Sequence, residues 1–179
     1  MLKINRVLTF AIASILLHPS AVALEPNTIS ANASNALKLA SVSVTSQRSP
    51  ATGNTCYFTM FLPERTGKRF TRLSFSFTEQ SRDKAVAVIP FDLSSTRALV
   101  GKPGAFGREI GLKGAWIDET GTLWVEFGQP IPSNTTLTIA LRMHQARSKE
   151  SYEYGVAAYP DSESPVPIFV GNGILTTSP

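Results

Sequence analysis

The stretch AWIDETGTLWVEF holds both tryptophans of the chain, and their spacing of eight positions can bring the two rings together. If this stretch folds as a hairpin with a three-residue loop and Gly121 in the left-handed conformation, Asp118 lies opposite Thr122 and Trp116 lies opposite Trp124. Both rings then lie on the more polar face. Such pairs can stack on sugar rings or on a protein partner, so we predict both tryptophans as ligand-binding residues. The alternative is a cross-strand pair that only covers the sheet and adds ~0.5–1 kcal/mol.

Single residues carry the other possible chemistry. His144 is the only histidine outside the first 23 residues, so a Ser–His–Asp or Cys–His arrangement would depend on it. It directly follows a predicted strand among Arg and Lys residues, which is typical of a solvent-exposed loop histidine. Cys56 lies in an aromatic-rich strand, where we expect a small buried hydrophobic residue. A reactive thiol would need an exposed, electropositive site.

Metal binding has little support in the sequence. One His and one Cys cannot form a structural zinc site, and calcium needs clustered oxygen ligands. Asp118 and Glu119 are the only adjacent acidic pair, and they lie in a turn, where Asp is common for backbone reasons. The spacing of the other carboxylates does not indicate a catalytic pair. We therefore predict no catalytic residue, no metal site and no cofactor.

The stretch RTGKRFTR (65–72) is basic and contains one aromatic residue. It is interpreted as an exposed hairpin, and the alternative is attraction to an anionic polysaccharide or a lipid surface. Such attraction by four charges would be sensitive to salt.

The N-terminal residues predict export. Lys3 and Arg6 precede the uncharged stretch VLTFAIASILL, whose eleven residues are fewer than the ~20 that a membrane-spanning helix needs. Ala21, Val22 and Ala23 then supply the small residues that a signal peptidase accepts. The pattern predicts cleavage after Ala23.

This cleavage defines the predicted organisation of the chain: a signal peptide over 1–23, a flexible leader over 24–35 and a single domain over 36–179. We expect no membrane-spanning segment after cleavage. The exported protein would lie in the periplasm or outside the cell, with the thylakoid lumen as a further possibility.

Charge and cysteine content narrow the class of protein. Cleavage removes two of the 17 basic residues and none of the 13 acidic ones, so the net charge falls from +4 to about +2. Without a Lys/Arg run that could follow a phosphate backbone, we expect no nucleic-acid partner. Cys56 is the only cysteine, so no internal disulfide forms, which favours a bacterial envelope over a eukaryotic exterior. The oligomeric state stays open.

Short runs with a period of two predict strands. Leu73, Phe75 and Phe77 fall on one face of RLSFSFT. Further β-rich runs lie at 37–45, 55–63, 85–93, 122–127, 136–143, 152–160 and 167–175. About eight short strands without a helical period predict an all-β, antiparallel β-sandwich of immunoglobulin-like topology. The glycine-rich stretch 101–114 is predicted as a long surface loop, either mobile or binding.

Five motifs occur in order along the later strands: YFTMFLPERTG, IPFDLSSTRALVG, VEFGQPIPSNTTLTIALR, YGVAAYP and GNGIL. Over roughly residues 37–175 they resemble a cyanobacterial family of exported proteins described only as a domain of unknown function. The resemblance implies export and an all-β domain, and it implies no activity. Family members often follow the Leu-Arg pair with a run that contains Pro and Arg. Here LRMHQAR keeps Arg142 and Arg147 without the prolines, and we predict both as further ligand-binding residues.

We therefore expect an exported, non-catalytic binding protein of the bacterial envelope or extracellular matrix, with a polysaccharide or an envelope protein as ligand. An exposed tryptophan pair would support binding, and a buried pair would indicate a scaffold. The alternative is a hydrolase acting on cell-wall or matrix sugars, which needs two carboxylates ~5–9.5 Å apart in a cleft. A structural subunit of an appendage is the third hypothesis, and it needs an exposed, unpaired edge strand.

Overall fold

The computed structural model describes residues 42–49, 53–62, 69–80, 85–144 and 149–177. These residues form ten strands in two five-stranded antiparallel sheets, and none of them lies in a helix. The all-β prediction is confirmed, and the predicted number of strands was too small. The predicted signal peptide, the predicted leader and Arg147 lie outside the described residues.

The first sheet contains, in spatial order, β1 (Val42–Ser49), β2 (Gly53–Leu62), β8 (Thr135–Met143), β4 (Phe91–Lys102) and β5 (Ala105–Ile110). The second sheet contains β10 (Ile168–Thr176), β9 (Ser151–Pro160), β3 (Arg69–Glu79), β7 (Leu123–Pro132) and β6 (Leu112–Ile117). Within the part of the chain that the structure describes, no helix is long and apolar enough to cross a membrane.

The strand order is immunoglobulin-like. The order β1-β2-β8-β4 in the first sheet matches strands A-B-E-D of a constant-type domain, and β3-β9-β10 in the second matches C-F-G. β5, β6 and β7 are additions between these elements. β5 extends the first sheet by one strand, and β7 and β6 extend the second sheet by two. Between β5 and β6, the chain passes from the first sheet to the second at Gly111.

The core lies between the two sheets and is formed by the inward row of each strand. Leu73, Phe75 and Phe77 are all buried, as the alternation predicts. The ring of Phe58 lies at the centre, with edge-on contacts to Phe75 at 5.4 Å and to Tyr154 at 5.1 Å between ring centroids. Full burial of side chains of this size stabilises the fold by ~1.5–3 kcal/mol each. The two inward rows therefore hold the sandwich together without a disulfide.

The β-rich run 85–93 is not one continuous strand, which refines the prediction made for it. Val86 makes a single bridge with Thr78, and β4 begins only at Phe91. Ala87 and Ile89 are nevertheless buried. The alternation that predicted a strand therefore reflects side chains packing inward from an extended segment that lacks a ladder of hydrogen bonds.

The glycine-rich stretch 101–114 is not a loop, which corrects a second prediction. It contains the end of β4, all of β5 and the start of β6. Gly101 and Gly104 have φ values of 99° and 87°, which L side chains rarely adopt. A Cβ on Gly101 would lie 2.5 Å from the carbonyl oxygen of Ala105. These glycines permit a tight hairpin between β4 and β5, in which Lys102 pairs with Ala105.

Candidate functional site

The β6–β7 hairpin has the register that the sequence predicts. Trp116 pairs with Trp124, and the Asp118 N–H donates to the Thr122 carbonyl at 3.0 Å. The loop closes through a hydrogen bond from the N–H of Gly121, whose φ is 80°, to the Asp118 carbonyl. The strand alternation turns Leu123 and Val125 inward, which leaves both tryptophans on the outer face of the second sheet.

Asp118 organises the end of this hairpin. Its Oδ1 accepts hydrogen bonds from the Thr120 N–H at 2.9 Å, the Thr120 hydroxyl at 2.7 Å and the Thr122 N–H at 3.0 Å. Its Oδ2 accepts a hydrogen bond from Nε1 of Trp124 at 2.7 Å. These hydrogen bonds, led by Thr120 and Trp124, lower the pKa of Asp118 to about 2. An ionised carboxylate therefore fixes the orientation of the Trp124 ring.

The two tryptophans belong to a larger set of stacked groups, and we use the name aromatic face for Trp116, Trp124, Tyr159 and Arg72. The tryptophan rings are nearly parallel at 12°, with centroids 6.3 Å apart. Tyr159 lies 5.0 Å from Trp124, on the side of β3 and β9. Trp116 lies on an edge strand and is 36% exposed, and Trp124 is half-buried. The tryptophan pair is therefore partly accessible to solvent, neither fully exposed nor fully buried.

Arg72 completes the aromatic face from β3. Its guanidinium carbon lies 5.7 Å from the ring centroid of Trp124 and 5.8 Å from that of Tyr159. Both contacts are within the ~6 Å range of a cation–π interaction. β3 pairs with β7 on one side and β9 on the other, so Arg72 lies between the strands that carry these two rings.

Beside the aromatic face, the same outer surface carries small side chains. Ser74 and Ala157, which pair across β3 and β9, have small side chains and follow the aromatic rings along the strands. Beyond them, Phe169 and Ile174 of β10 are 59% and 53% exposed. The outer face of the second sheet thus combines aromatic rings, the Arg72 guanidinium and small side chains.

Sequence reasoning did not assign Tyr159 or Phe169 to a site, and it considered Arg72 only as part of the basic stretch RTGKRFTR (65–72). Arg72 occupies a polar position of the alternating strand RLSFSFT, at the end of the basic stretch. Tyr159 lies in the opposite phase to the buried Tyr152 and Tyr154. The alternation of inward and outward positions could have assigned Arg72 and Tyr159 to an outer face. Only the pairing of β3 with both β7 and β9 brings these two residues to the tryptophans.

A second concave surface lies on the outer face of the first sheet, and we call it the hairpin cleft. The hairpin of β4 and β5 curls over this sheet, so that Phe106 reaches Tyr57 at 5.7 Å between ring centroids although two strands separate β5 from β2. The buried Thr138 hydroxyl holds the hairpin down by donating to the Gly101 carbonyl at 2.6 Å. The concavity has a volume of about 570 Å³. Its lining combines aromatic, small and charged side chains: Thr55, Tyr57, Ser95, Arg97, Leu99, Phe106, Gly107, Glu109, Ala140 and Arg142.

Both arginines of the hairpin cleft are bound to carboxylates. Arg142, a predicted ligand-binding residue, donates to Asp92 from Nε at 3.1 Å and from Nη2. Arg97 donates to the two oxygens of Glu109 at 2.8 and 2.6 Å. Hydrogen bonds from Ser94 and then Arg142 hold the pKa of Asp92 well below its usual range, and the hydrogen bond from Arg97 lowers that of Glu109. Because β8 belongs to the first sheet, the structure does not bring Arg142 to the tryptophans.

His144 and Cys56 lie in the surroundings that the sequence predicts for them. His144 is exposed directly after β8, and its backbone N–H donates to the Pro90 carbonyl at 3.1 Å. Cys56 is fully buried, and burial raises the pKa of its thiol, as expected for a small hydrophobic residue. Among the described ranges, no group of three or more His, Cys, Asp or Glu residues could hold a metal ion.

Residues 29–177 match the family described as Protein of unknown function (DUF2808), and the chain belongs to this family. The match confirms that part of the resemblance which predicted a domain of unknown function. No curated protein sequence matches the chain.

Several solved structures are distantly similar. The collagen-binding domain of a Staphylococcus aureus adhesin is similar over 77% of this chain and 97% of that domain, at 12% identity and a TM-score of 0.38. The collagen-binding subdomain ACE19 of the Enterococcus faecalis surface protein ACE is similar over 77% and 96%, at 5% identity and a TM-score of 0.43. These likenesses are weak, so the immunoglobulin-like assignment rests on the strand order of this chain.

Proposed function

We propose that this protein is an exported, non-catalytic binding protein of the bacterial envelope or extracellular matrix, and that it holds a polysaccharide on the aromatic face. The observation that carries the proposal is the near-parallel pair of Trp116 and Trp124 on the outer surface, extended by Tyr159 and Arg72. Aromatic side chains offer a large apolar area together with a polar edge, which suits the two-sided character of a sugar ring.

The geometry supports binding because the rings are ordered before a ligand arrives. The hydrogen bond from Trp124 to Asp118 fixes one ring, and Trp116 and Arg72 pack on either side of it. Side chains that are already immobilised lose little rotational freedom on association, and each rotamer-rich side chain otherwise costs ~0.5–1.5 kcal/mol.

A hydrolase is the less supported alternative. Glycoside hydrolysis needs a carboxylic acid whose pKa is raised so that it can donate a proton. In and beside the hairpin cleft, the hydrogen bond from Arg97 lowers the pKa of Glu109, and hydrogen bonds from Ser94 and then Arg142 lower that of Asp92. Such groups stay ionised at neutral pH and cannot serve as the general acid.

One observation favours a structural subunit as a second candidate. β10 is an edge strand of nine residues without a charged side chain, and Phe169 and Ile174 are exposed on it. Long, uncharged edge strands can pair with a neighbouring chain. This candidate predicts that the purified protein forms oligomers that Phe169→Asp dissociates. A monomer at all concentrations would rule it out.

The proposed location rests on the predicted signal peptide over 1–23. Its removal would release the protein into the periplasm, the extracellular space or the thylakoid lumen. N-terminal sequencing of the protein recovered from these fractions tests the location, with residue 24 as the expected first residue. An uncleaved chain in the cytoplasmic fraction would contradict it.

The binding proposal is tested by co-sedimentation of the purified protein with cell-wall, outer-membrane and released-polysaccharide fractions at low and high salt. We expect retention on one polysaccharide-containing fraction that is lost in Trp116→Ala and Trp124→Ala. Phe106→Ala is the matched control, because Phe106 is similarly exposed, at 40%, and lies on the opposite sheet. Retention that the tryptophan variants keep would refute the proposal. Retention abolished by protease treatment of the fraction would identify an envelope protein as the ligand instead.

A further inference from the structure

We propose that the aromatic face selects acidic polysaccharides, with Arg72 receiving a carboxylate carried by the sugar ring that stacks on the tryptophans. This inference rests on the proposed function and adds the class of ligand. The residues that carry it are Arg72, its two ring partners and the neighbouring pair of Glu126 and Lys113.

The first observation is that Arg72 has no carboxylate partner among the residues that the structure describes. The ion pairs among the described residues join Arg97 to Glu109, Lys113 to Glu126 and Arg142 to Asp92. Arg72 is half-buried, and its guanidinium contacts the rings of Trp124 and Tyr159. Its guanidinium therefore packs against aromatic rings and is not bound to an acid among the described residues.

The second observation is that the nearest acid by register is engaged elsewhere. Glu126 lies opposite Arg72 across the β3–β7 pair. Its Oε1 instead accepts a hydrogen bond from Nζ of Lys113 at 3.1 Å. A register shift between Leu112 and Gly114 places Lys113 at this position, because the extra residue has no partner of its own in β7. The bulge in β6 thus allows Lys113 to pair with Glu126, so Arg72 packs against the aromatic rings and does not pair with this carboxylate.

The third step concerns the kind of ligand that a guanidinium packed against aromatic rings can bind. Arginine packs well against aromatic rings and is more weakly hydrated than an ammonium group, and it presents its N–H donors in a planar fork that matches the two oxygens of a carboxylate. Tyr159 and Trp124 fix the position of the Arg72 fork. A uronic acid combines a ring face for the tryptophans with a carboxylate for this fork, whereas a neutral sugar would meet only the rings. The ligand that satisfies both parts of the aromatic face is therefore an acidic sugar polymer.

The test uses tryptophan fluorescence, because the only two tryptophans of the chain both lie in the aromatic face. The purified protein is titrated with polygalacturonate and with its methyl ester, which has the same sugar backbone with the carboxylates capped. We expect polygalacturonate to bind about 10- to 100-fold more tightly, the range that one hydrogen-bonded charge supplies. Equal affinity for the two polymers in the unaltered protein would overturn the inference without any variant.

Substitutions at Arg72 locate the effect. Arg72→Gln is expected to reduce affinity for polygalacturonate to that for the ester, and Arg72→Lys to recover part of the difference because it keeps the charge without the fork. Arg108→Gln is the control, since Arg108 is exposed on β5 and its loss changes the net charge equally. If Arg108→Gln weakened binding as much as Arg72→Gln, general electrostatic attraction would replace the site that we infer.

Two further outcomes separate this inference from the function on which it rests. If both polymers bind equally and Trp116→Ala abolishes both, the binding function stands and the selectivity for acidic sugars is wrong. If neither polymer changes the fluorescence or co-sediments with the protein, both proposals fail for sugars of this type. Polyglutamate, which carries carboxylates without sugar rings, is the last probe. Its binding at equal affinity would show that Arg72 serves an acidic polypeptide.

Discussion

The aromatic face and the hairpin cleft lie on opposite outer surfaces of one sandwich, and both combine aromatic rings with arginine. They differ in what surrounds the guanidinium. In the hairpin cleft, Arg97 and Arg142 are each bound to a carboxylate. On the aromatic face, Arg72 lies against Trp124 and Tyr159 and has no acid as partner among the described residues. The same residue type is thus bound to acids on one surface and packed against aromatic rings on the other.

Strand geometry explains this difference. In the first sheet, the β4–β5 hairpin curls over the outer face, so Leu99 and Thr138 are buried although they point away from the core between the sheets. Beside this covered surface, the arginines and carboxylates of the hairpin cleft form ion pairs with one another. In the second sheet, β6 is a short edge strand without such a curl, and its Trp116 stays exposed. The aromatic face therefore presents rings and a guanidinium without an acid among the described residues, and the hairpin cleft presents paired charges.

The largest expected effect on stability comes from a substitution in the core, which supports both the aromatic face and the hairpin cleft. Phe58→Ala removes a fully buried ring between the sheets and should destabilise the fold by about 3–5 kcal/mol, because the cavity cannot be refilled in a packed core. The measurement is denaturant unfolding followed by tryptophan emission. The control is Phe106→Ala, an exposed ring of the same type, which should change stability by only about 0.5–1.5 kcal/mol, the range of its contact with Tyr57. Equal losses in both variants would mean that the two sheets do not share one core.

A change at Gly101 should disturb the hairpin cleft alone. In Gly101→Ala, the new Cβ meets the carbonyl oxygen of Ala105 at 2.5 Å, at a φ of 99° that alanine adopts poorly. We expect a loss of about 1–3 kcal/mol. Gly104→Ala is the matched control, because its φ is 87° but nothing lies within 4 Å of its Cβ. Gly101→Ala should lose the larger stability while polymer binding on the aromatic face stays unchanged. A loss of that binding would show that the two faces are coupled.

The sequence predicted some of these elements for identifiable reasons. Period-two alternation assigned the inward rows of β3 and β8, because burial on one face leaves a direct pattern. The register that joins Trp116 to Trp124 followed from a short loop with Gly121 at its left-handed position. Both depend only on neighbours along the chain.

Other features were beyond the sequence because they depend on pairing between distant strands. Arg72 meets Tyr159 only because β3 lies between β7 and β9. The glycine-rich stretch was interpreted as a loop since its composition is the same whether glycine serves mobility or a tight β-hairpin. The separation of Arg142 from the tryptophans likewise depends on which sheet β8 joins, and no local pattern encodes that choice.

Acid should release the Trp124 ring through Asp118. The folded pKa of about 2 lies below the ~3.9 of an unfolded Asp, so the stabilisation is present above about pH 4 and is lost as pH falls towards 2. In Asp118→Asn, the amide keeps one acceptor oxygen, but its NH₂ group cannot accept from Nε1 of Trp124. We expect a lower Tm at neutral pH and weaker polymer binding.

Tryptophan emission measured between about pH 5 and pH 2 checks this prediction. Emission should change over that range in the unaltered protein and should already be shifted at neutral pH in Asp118→Asn. Glu119→Gln, at the next residue of the same loop, is the control and should behave like the unaltered protein. An identical acid response in Asp118→Asn would mean that another carboxylate, such as Asp92 on the opposite face, controls it.

The smallest expected effect on stability separates the two interpretations of the tryptophan pair. Trp116 is exposed on an edge strand, so Trp116→Ala should destabilise the fold by only about 0.5–1.5 kcal/mol, the range of an aromatic pair contact. Its effect on polysaccharide binding should be much larger, with retention lost altogether. A residue that matters little to folding and decisively to binding is a binding residue. If unfolding measurements instead gave a loss of several kcal/mol with retention unchanged, the pair would be a cover for the sheet, and the contrast between the two faces would be one of packing alone.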